Sequence, residues 1–301
     1  MNNPAFLTAD TSLLPAEVAG VRDYIELLKP RVMSLVVFSG IAGLIAAPGS
    51  IHPLLGFVTI LCIALASGGS AAINMWYDRD IDAVMSRTKT RPIPQGRIAP
   101  ETALEFGGAL IFAAVFLMAL AVNLLAAGLL AFAAAFYVFV YTMGLKRRTP
   151  QNIVIGGAAG AFPPVIAWAA VTGQIGLPAI ILFLIIFFWT PPHFWALALY
   201  RNEDYRRAGI PMLPVVKGER RTKIEMLIYT LLLLPLSLAP YATQTAGLIY
   251  LAGAALLSGL FIACAVRVML DTTHKAARQM FGYSILYLFL LLSLLMADRM
   301  G

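Results

Sequence analysis

The sequence predicts an all-α, polytopic membrane protein with nine transmembrane helices, and three observations indicate this fold class. Sixty per cent of the 301 residues are apolar and only 12% are charged, whereas soluble chains carry about 25% charged residues. The charged residues gather in short segments that long charge-free runs separate. Nine spans would place nearly all basic residues on one side of a membrane. This composition excludes a water-soluble enzyme, a disordered regulator and a disulfide scaffold.

Five runs without Asp, Glu, Lys or Arg define the spans: 32–73, 106–145, 149–200, 226–266 and 279–297. Because a helix needs about 20 apolar residues to cross the hydrocarbon core, the first four runs hold two spans each and the last holds one. Turn-forming residues interrupt each double run, at 48–50, 123, 173–174 and 244–245. The predicted spans are 31–48, 52–73, 103–122, 125–145, 152–172, 177–199, 226–243, 246–267 and 280–298.

The distribution of basic residues predicts the orientation. With nine spans, 21 of the 22 Lys and Arg residues lie on one side, and only Arg299 lies on the other. The positive-inside rule makes the crowded side cytoplasmic and places the C-terminus opposite. The N-terminal segment 1–29 is then cytoplasmic, with a short interfacial helix expected around 16–29 and ended by Pro30. Since topology explains most of the net charge of +7, the expected partner is the lipid bilayer, and no nucleic-acid partner is expected.

The loop after the second predicted span carries a stripe of oxygen-bearing side chains. The chain continues past this span without Gly or Pro, so a helix is expected to extend into the cytoplasmic interface. On such a helix Asn74, Asp78 and Asp82 share one face, whereas Asp80 points the other way. Hard oxygen ligands suit Mg²⁺, which completes its octahedron with waters and substrate phosphates. The alternative interpretation is a solvated helix end.

Basic side chains follow the acidic stripe at once, at Arg87, Lys89, Arg91 and Arg97. This order fits a metal-bridged polyanion, because carboxylates hold the metal while cations hold phosphate oxygens. The alternative for each base alone is that it only keeps its loop on the cytoplasmic side of the membrane, as the positive-inside rule describes. We favour that interpretation for Lys89 and Arg97.

Two further cytoplasmic segments carry similar chemistry. Between predicted spans six and seven, Asp204 is followed by Arg207 and Lys217. At the end of the fourth span Lys146 begins a basic cluster, and Tyr141 lies just before it. Tyrosines at such positions most often belong to the interfacial belt. The functional alternative is an aromatic face near a reacting carbocation.

One histidine, His193, lies inside a charge-free span, directly after Pro191-Pro192. Prolines free backbone carbonyls in membrane helices, and discontinuous helices mark cavities there. A lone membrane histidine is also often just hydrogen-bonded to a neighbouring helix, so both interpretations stay open.

Together these motifs resemble a known family. An NxxxDxxxD pattern followed by RTxxRP, with a second acidic segment between spans six and seven, is similar to the UbiA-type intramembrane prenyltransferases. Within that superfamily, four segments resemble the branch that transfers farnesyl to protohaem IX: 28–32, 141–147, 190–195 and 204–214. The resemblance runs from about residue 24 to residue 298.

The resemblance implies roles for individual residues. The residues that match the family's metal motifs are Asn74, Asp78, Asp82 and Asp204. The candidate diphosphate-binding residues are Arg87, Arg91, Lys146, Arg207 and Lys217. The resemblance assigns catalytic roles to Tyr141 and Lys146, although the spacing of the family's Tyr-x-x-x-Lys motif is one residue longer here. In the second acidic segment, Ala208 stands where the family often has a second acid. His193 is the best candidate ligand for a haem iron.

The same resemblance implies a nine-helix bundle around a central cavity that the two cytoplasmic loops cap. It implies Mg²⁺ as cofactor, farnesyl diphosphate and protohaem IX (haem b) as substrates, and haem O as product. It also implies a bacterial plasma membrane location, with haem A synthase or a terminal oxidase assembly as a protein partner. Segments 191–195 and 208–214 disfavour the first alternative, prenylation of an aromatic quinone precursor. A non-enzymatic carrier or channel is disfavoured because the charge-free runs hold one histidine at depth and no charged group.

Overall fold

The computed structural model describes residues 19–300, with the backbone alone for Met300. Over this range the chain is helical and contains no β-strand. The helix α6 continues directly as a π-helical segment, Phe136–Leu145. The α-helices are α1 Val21–Leu27, α2 Pro30–Ala46, α3 Pro53–Tyr77, α4 Arg79–Val84, α5 Pro100–Ala121, α6 Leu124–Ala135, α7 Asn152–Ala161, α8 Pro163–Thr172, α9 Leu177–Tyr200, α10 Asn202–Arg207, α11 Leu213–Ala242, α12 Leu248–Leu270 and α13 Lys275–Met300.

The lengths and hydropathy of these helices agree with a protein that spans a membrane many times. Counted over residues 19–300, eight helical segments are long and apolar enough to cross a bilayer, and nine if α1 and α2 form one broken span. The axes of α1 and α2 are bent by 58°. The bend falls at Lys29, which has a left-handed φ of 51°, and Pro30 then opens α2, where its fixed φ suits a first helical turn. The predicted all-α membrane fold class is confirmed, and the protein is an integral membrane protein.

Several element boundaries differ from the predicted ones, and two of these differences lie beside the loop segments. Helix α1 ends at Leu27, two residues before the predicted end, and residues 16–18 of the predicted interfacial helix lie outside the described residues. The segment 201–225 is predicted as a loop but is mostly helical, because α10 occupies its start and α11 begins at Leu213. Gly218 has non-helical angles inside α11 (φ 77°, ψ 167°), a conformation that glycine adopts without steric cost.

The helices pack around two apolar cores that share α8. The larger core joins α2, α8 and α9 with α11, α12 and α13. The second core joins α3, α5, α6 and α8. Glycines allow the closest approach of α3 and α5, since a Cβ added at Gly69 would lie 2.6 Å from the Gly107 carbonyl oxygen. Close packing of small residues is the usual way in which membrane helices associate.

The two predicted cytoplasmic loops meet at one end of the bundle, which we call the loop end. Ile81 and Met85 from the first segment pack with Tyr205, Ile210 and Met212 from the second. This apolar contact fixes α4 beside α10 and places the acidic residues of both segments at the same end. Two open cavities of about 590 and 370 Å³ lie at the opposite end of the bundle, and none of the predicted site residues lines them.

Candidate active site

The loop end of α3 holds a buried amide and a buried carboxylate in contact with a lysine. Asn74 is 3% exposed and Asp78 is 1% exposed. Asn74 Nδ2 donates to Asp78 Oδ2 at 2.7 Å and to Thr142 Oγ1 at 3.2 Å. The Lys146 ammonium forms an ion pair with Asp78, and the Arg147 guanidinium lies 3.4 Å from the second carboxylate oxygen. Because a buried charge is costly unless it is paired and hydrogen-bonded, these donors make the burial of Asp78 tolerable.

The acidic stripe runs from α3 into α4 with one interruption. Asp78 has a φ of −92° and a ψ of 13° and separates the two helices, so the predicted continuous helix is broken there. The backbone bonds from Asp78 to Asn74 and from Asp82 to Asp78 are nevertheless kept, at 3.0 and 2.8 Å. All three side chains are buried. Asp82 accepts a hydrogen bond of 2.6 Å from Arg91, which also forms an ion pair with it.

Asp80 lies on the other side of α4, with a side chain that is 62% exposed. Its two oxygens accept hydrogen bonds of 2.6 and 2.8 Å from the Arg147 guanidinium. These bonds hold the pKa of Asp80 below its usual value and raise the pKa of Arg147. Since Arg147 also approaches Asp78, it links the exposed carboxylate to the buried one.

Lys29 is a member of this cluster that the sequence pattern did not identify as a site residue. Its Nζ donates a hydrogen bond of 2.6 Å to Asn74 Oδ1, across 45 residues of sequence. The left-handed bend before Pro30 turns the side chain of Lys29 toward α3. A signal was present in the sequence, because Lys29 immediately precedes the proline that opens the first long apolar run. Such a lysine is more often an interfacial anchor, so the contact was not predictable from that pattern alone.

Asp204 connects the second loop segment to the first. Its Oδ2 accepts a hydrogen bond of 2.6 Å from Ser86 Oγ, and its Oδ1 accepts one from Arg207. The bond from Ser86, with that from Arg207, holds the pKa of Asp204 below its usual value. Asp204 is only 6% exposed. Ser86 was missed by the sequence analysis because a serine among charged residues carries no distinctive signal.

The π-helical segment explains the extra residue between Tyr141 and Lys146. Lys146 N donates a hydrogen bond of 2.9 Å to Tyr141 O, which is the i→i+5 bond of a π-helix. In a π-helix, residues i and i+5 lie above one another, as residues i and i+4 do in an α-helix. The side chains of Tyr141 and Lys146 therefore lie on one face. The Tyr141 ring packs against Gly156 so closely that an added Cβ would overlap it. Tyr137 stands one turn earlier, with ring centroids 5.4 Å apart.

His193 lies in α9 and contacts α13 instead of the acidic cluster. Its imidazole stacks on Trp189 at 4.4 Å and on Phe281 at 4.7 Å between centroids. Its Nδ1 is 2.6 Å from Ser284 Oγ. The residue is thus hydrogen-bonded to a neighbouring helix, and within residues 19–300 its Nε2 forms no hydrogen bond.

Two predicted diphosphate-binding residues are separate from these contacts. Arg87 and Lys217 are exposed, and within residues 19–300 neither side chain forms a hydrogen bond or ion pair. Both lie at the loop end, in the segments after α4 and at the start of α11. Other bases form ion pairs with buried carboxylates, namely Arg91, Arg97, Lys146, Arg147, Arg201 and Arg207.

The donor set suits a metal that shares its coordination with a substrate. Over the described part of the chain, no three His, Cys, Asp or Glu side chains are grouped closely enough to hold a metal ion by themselves. Mg²⁺ seldom needs such a cage, because one or two carboxylates together with substrate phosphates and waters complete its shell. The buried oxygens of Asn74, Asp78 and Asp82 are donors of this hard kind, so the residues fit a Mg²⁺ ion that binds together with a phosphorylated ligand.

The chain is similar to one family over most of its length. Residues 35–294 match the model of the UbiA prenyltransferase family. The chain therefore belongs to the UbiA prenyltransferase family, and two relatives that are more than half identical to it are named protoheme IX farnesyltransferase. The relative of that name from Acidiphilium cryptum is 56% identical over 100% of this chain and 98% of its own length. The one from Agrobacterium fabrum is 58% identical over 93% of this chain and 90% of its own.

Solved structures show the same fold at low sequence identity. A structure of digeranylgeranylglyceryl phosphate synthase in membranes has a TM-score of 0.77 at 20% identity, covering 92% of this chain and 98% of that one. A UbiA homologue from Archaeoglobus fulgidus, bound to GPP and Mg²⁺, has a TM-score of 0.62 at 18% identity, covering 90% of this chain and 99% of that one. These likenesses establish the helical bundle as the fold of the family.

Proposed function

We propose that this protein transfers the farnesyl group of farnesyl diphosphate to a vinyl group of protohaem IX, making haem O and releasing diphosphate. The observation that carries the proposal is the 56% identity to a protoheme IX farnesyltransferase across the whole chain. In the balanced reaction the farnesyl C–O bond breaks and a C–C bond forms to the vinyl group. Water then supplies the hydroxyl of the new side chain and releases a proton.

The charge cluster at the loop end supports the departure of diphosphate. Three cations, Arg91, Lys146 and Arg147, are paired with three carboxylates, Asp82, Asp78 and Asp80. Lys29 adds a fourth basic group, which is bonded to the amide of Asn74. Negative charge that develops on a leaving diphosphate is stabilised by fixed cations of this kind. Arg87 and Lys217, exposed at the same end, are proposed to contact the outer oxygens of the diphosphate.

Mg²⁺ is proposed to bind at Asn74, Asp78, Asp82 and Asp204. When bound, it supplies a Lewis acid that neutralises the diphosphate oxygens. Lys29, Lys146 and Arg91 contact the oxygens of the first three residues. These basic groups keep the donors buried and oriented, and they are placed to contact the phosphate oxygens.

Tyr141 is proposed to face the allylic carbocation. Its ring packs against Gly156, and it shares one face of the π-helix with Lys146. An aromatic face attracts a cation electrostatically, and the apolar surroundings slow capture of the carbocation by water. Lys146 then acts beside Tyr141 by holding the departing diphosphate.

His193 is proposed to bind the haem iron on the acceptor side. Its Nδ1 is engaged with Ser284, and its Nε2 forms no hydrogen bond with any residue in the range 19–300. His193→Ala should weaken haem binding and alter the visible spectrum of bound haem. The affinity for farnesyl diphosphate should stay within a few-fold, since the residue does not contact the charge cluster.

The proposed location is the bacterial plasma membrane, with the loop end cytoplasmic and the C-terminus on the other side. The Lys and Arg residues gathered at the loop end support this orientation, because cytoplasmic loops of membrane proteins carry an excess of basic residues. Haem O released into the membrane would pass to a haem A synthase or to a terminal oxidase assembly.

The alternative acceptor is the aromatic head group of a quinone precursor. The experiment gives the purified protein in liposomes Mg²⁺ and farnesyl diphosphate, with protohaem IX and 4-hydroxybenzoate at equal concentration, and identifies the prenylated products by mass. We expect farnesylated haem alone. Prenylated 4-hydroxybenzoate without any modified haem would reject the proposal, and Asp78→Ala serves as the inactive control.

A further inference from the structure

The imidazole of His193 is held on both faces by aromatic rings. The Trp189 ring is inclined to it by 17° and the Phe281 ring by 23°, at centroid distances of 4.4 and 4.7 Å. Trp189 belongs to α9 and Phe281 to α13, so the sandwich joins two membrane helices. Trp189 Nε1 also donates a hydrogen bond of 2.8 Å to the backbone oxygen of Ser284. The plane of the imidazole is therefore fixed before any ligand binds.

The hydrogen bonds of Ser284 bear on which nitrogen of His193 carries the proton. Ser284 is fully buried, and its Oγ donates to Phe281 O at 2.6 Å. A hydroxyl has a single proton to donate, and a carbonyl oxygen can only accept. When the hydroxyl proton is on the bond to Phe281 O, the contact of 2.6 Å between Ser284 Oγ and His193 Nδ1 uses a proton on Nδ1. His193 is then the neutral Nδ1–H tautomer, and Nε2 keeps a lone pair.

We propose that Ser284 is a positioning residue that fixes His193 in the Nδ1–H tautomer and leaves Nε2 free to bind the iron of the haem substrate. The haem part of this inference rests on the proposed function, whereas the tautomer is a property of the protein alone. A ligating histidine commonly donates its other N–H to a fixed acceptor, which sets the orientation of the ring and raises its basicity. Here the Ser284 hydroxyl supplies that acceptor. It accepts a hydrogen bond from His193 Nδ1–H and donates one to Phe281 O, and each of these two bonds polarises the other.

The first test reads the tautomer directly in the ligand-free protein. The chain has three histidines, so His52→Asn with His274→Asn leaves His193 as the one histidine. Asn is suitable at both positions, because it can cap the helix at 52 and tolerates the left-handed φ of 61° at 274. ¹⁵N chemical shifts of labelled histidine should show a protonated Nδ1 and an unprotonated Nε2. A protonated Nε2 would overturn the proposal.

The second test compares variants of Ser284 in the same background. Ser284→Ala removes the acceptor, so we expect the Nε2–H tautomer to appear, whereas Ser284→Thr should retain the Nδ1–H form. Ser293→Ala is the matched control, because Ser293 lies in the same helix and, among residues 19–300, its hydroxyl bonds only to Phe289 O, at 2.8 Å. An unchanged Nδ1–H tautomer in Ser284→Ala would overturn the role of Ser284. A comparison of thermal melting curves identifies any variant that has lost its fold.

The third test separates the positioning role from the proposed function. Ser284→Ala should weaken haem binding by roughly ten- to a hundredfold, as loss of an outer hydrogen bond does at metal ligands, and should shift the spectrum of bound haem. Affinity for farnesyl diphosphate should not change. If the tautomer responds to Ser284→Ala but neither this variant nor His193→Ala alters haem binding, the haem role of His193 is wrong while the tautomer assignment stands.

Discussion

At the scale of single residues, the amino group of Lys29 is the basic group in the cluster that faces an amide instead of a carboxylate. Its bond to Asn74 Oδ1 measures 2.6 Å, while Lys146 and Arg91 are each paired with an aspartate. Burial and the nearby Arg91 and Lys146 hold the pKa of Lys29 well below its usual value. An incoming anion raises that pKa, because a neighbouring opposite charge favours the protonated form. Lys29 is therefore expected to contribute directly to diphosphate binding.

Lys29→Gln should weaken the binding of farnesyl diphosphate by roughly tenfold or more, since hydrogen bonds to charged groups are worth about 1.5–3 kcal/mol. The affinity for haem should be unchanged. Arg31→Gln is the matched control, because Arg31 is exposed on the first turn of α2 and its loss removes the same charge without touching Asn74. Binding is measured by isothermal calorimetry, and equal losses in both variants would mean that charge at this helix end matters more than the contact.

The acidic stripe was predictable at the residue scale, whereas its counter-ions were only partly so. Asn74, Asp78 and Asp82 follow a helical spacing that can be read locally, and all three are buried. The contact of Lys29 with Asn74 spans 45 residues, and that of Ser86 with Asp204 spans 118. Such pairs depend on how helices pack, and no local spacing reveals them.

At the scale of elements, the π-helical end of α6 sets the positions of Tyr141 and Lys146. Gly156 on α7 supplies the space for the Tyr141 ring, because a Cβ there would overlap it. Gly160 lies one turn later on the same helix, and nothing lies within 4 Å of a Cβ added there. The two glycines therefore form a matched pair for testing the position of Tyr141.

Gly156→Ala should reduce turnover by roughly tenfold or more and cost about 1–3 kcal/mol of stability, because it forces a side chain into filled space. Gly160→Ala should keep full turnover and gain about 0.5–1 kcal/mol, as alanine is the better helix former. Haem O formation and thermal unfolding in detergent measure both effects. Full activity in Gly156→Ala would mean that Tyr141 is not held in a catalytic position.

A second element-scale prediction concerns the start of α13. Asp271 accepts hydrogen bonds from Thr273 N and Ala276 N, and these bonds lower its pKa from 3.8 to about 2. A carboxyl group whose pKa is lower in the folded state stabilises the fold above its unfolded pKa, and loses that effect as the pH falls through the folded value.

We therefore expect wild type to have a higher melting temperature than Asp271→Asn at pH 5. The difference should shrink as the pH is lowered from about 4 towards 2. Melting curves of both proteins in detergent test this expectation, and a difference that is independent of pH would contradict it.

Element boundaries show where sequence patterns stop being sufficient. Charge-free runs locate apolar helices because the bilayer excludes charge. They do not report a helix that continues into water, which is why α11 begins at Leu213, well before the predicted span 226–243. Composition does not predict the π-helix either, although the extra residue between Tyr141 and Lys146 indicates it.

At the scale of the whole molecule, one orientation follows from the charge distribution. Reporter fusions after residues 95, 147, 215 and 273 should lie in the cytoplasm. Fusions after 49, 124, 174, 245 and 301 should lie on the other side of the membrane. A cytoplasmic signal at 301 would require an even number of spans. With an even number of spans, the two loop segments and the other basic segments could not all lie on the cytoplasmic side.

The transfer of farnesyl to haem tests the central claim most directly. The measurement is a single turnover of purified protein with haem b, Mg²⁺ and radiolabelled farnesyl diphosphate, carried out on wild type, Asp82→Asn and Asp80→Asn. Asp82 is buried against Arg91, and Asp80 is exposed on the same short helix, so the two variants differ mainly in their position relative to the site. We expect label in haem for wild type and most of it for Asp80→Asn, with a loss of roughly a hundredfold or more for Asp82→Asn. Absence of labelled haem in wild type, or equal transfer by both variants, would contradict the account.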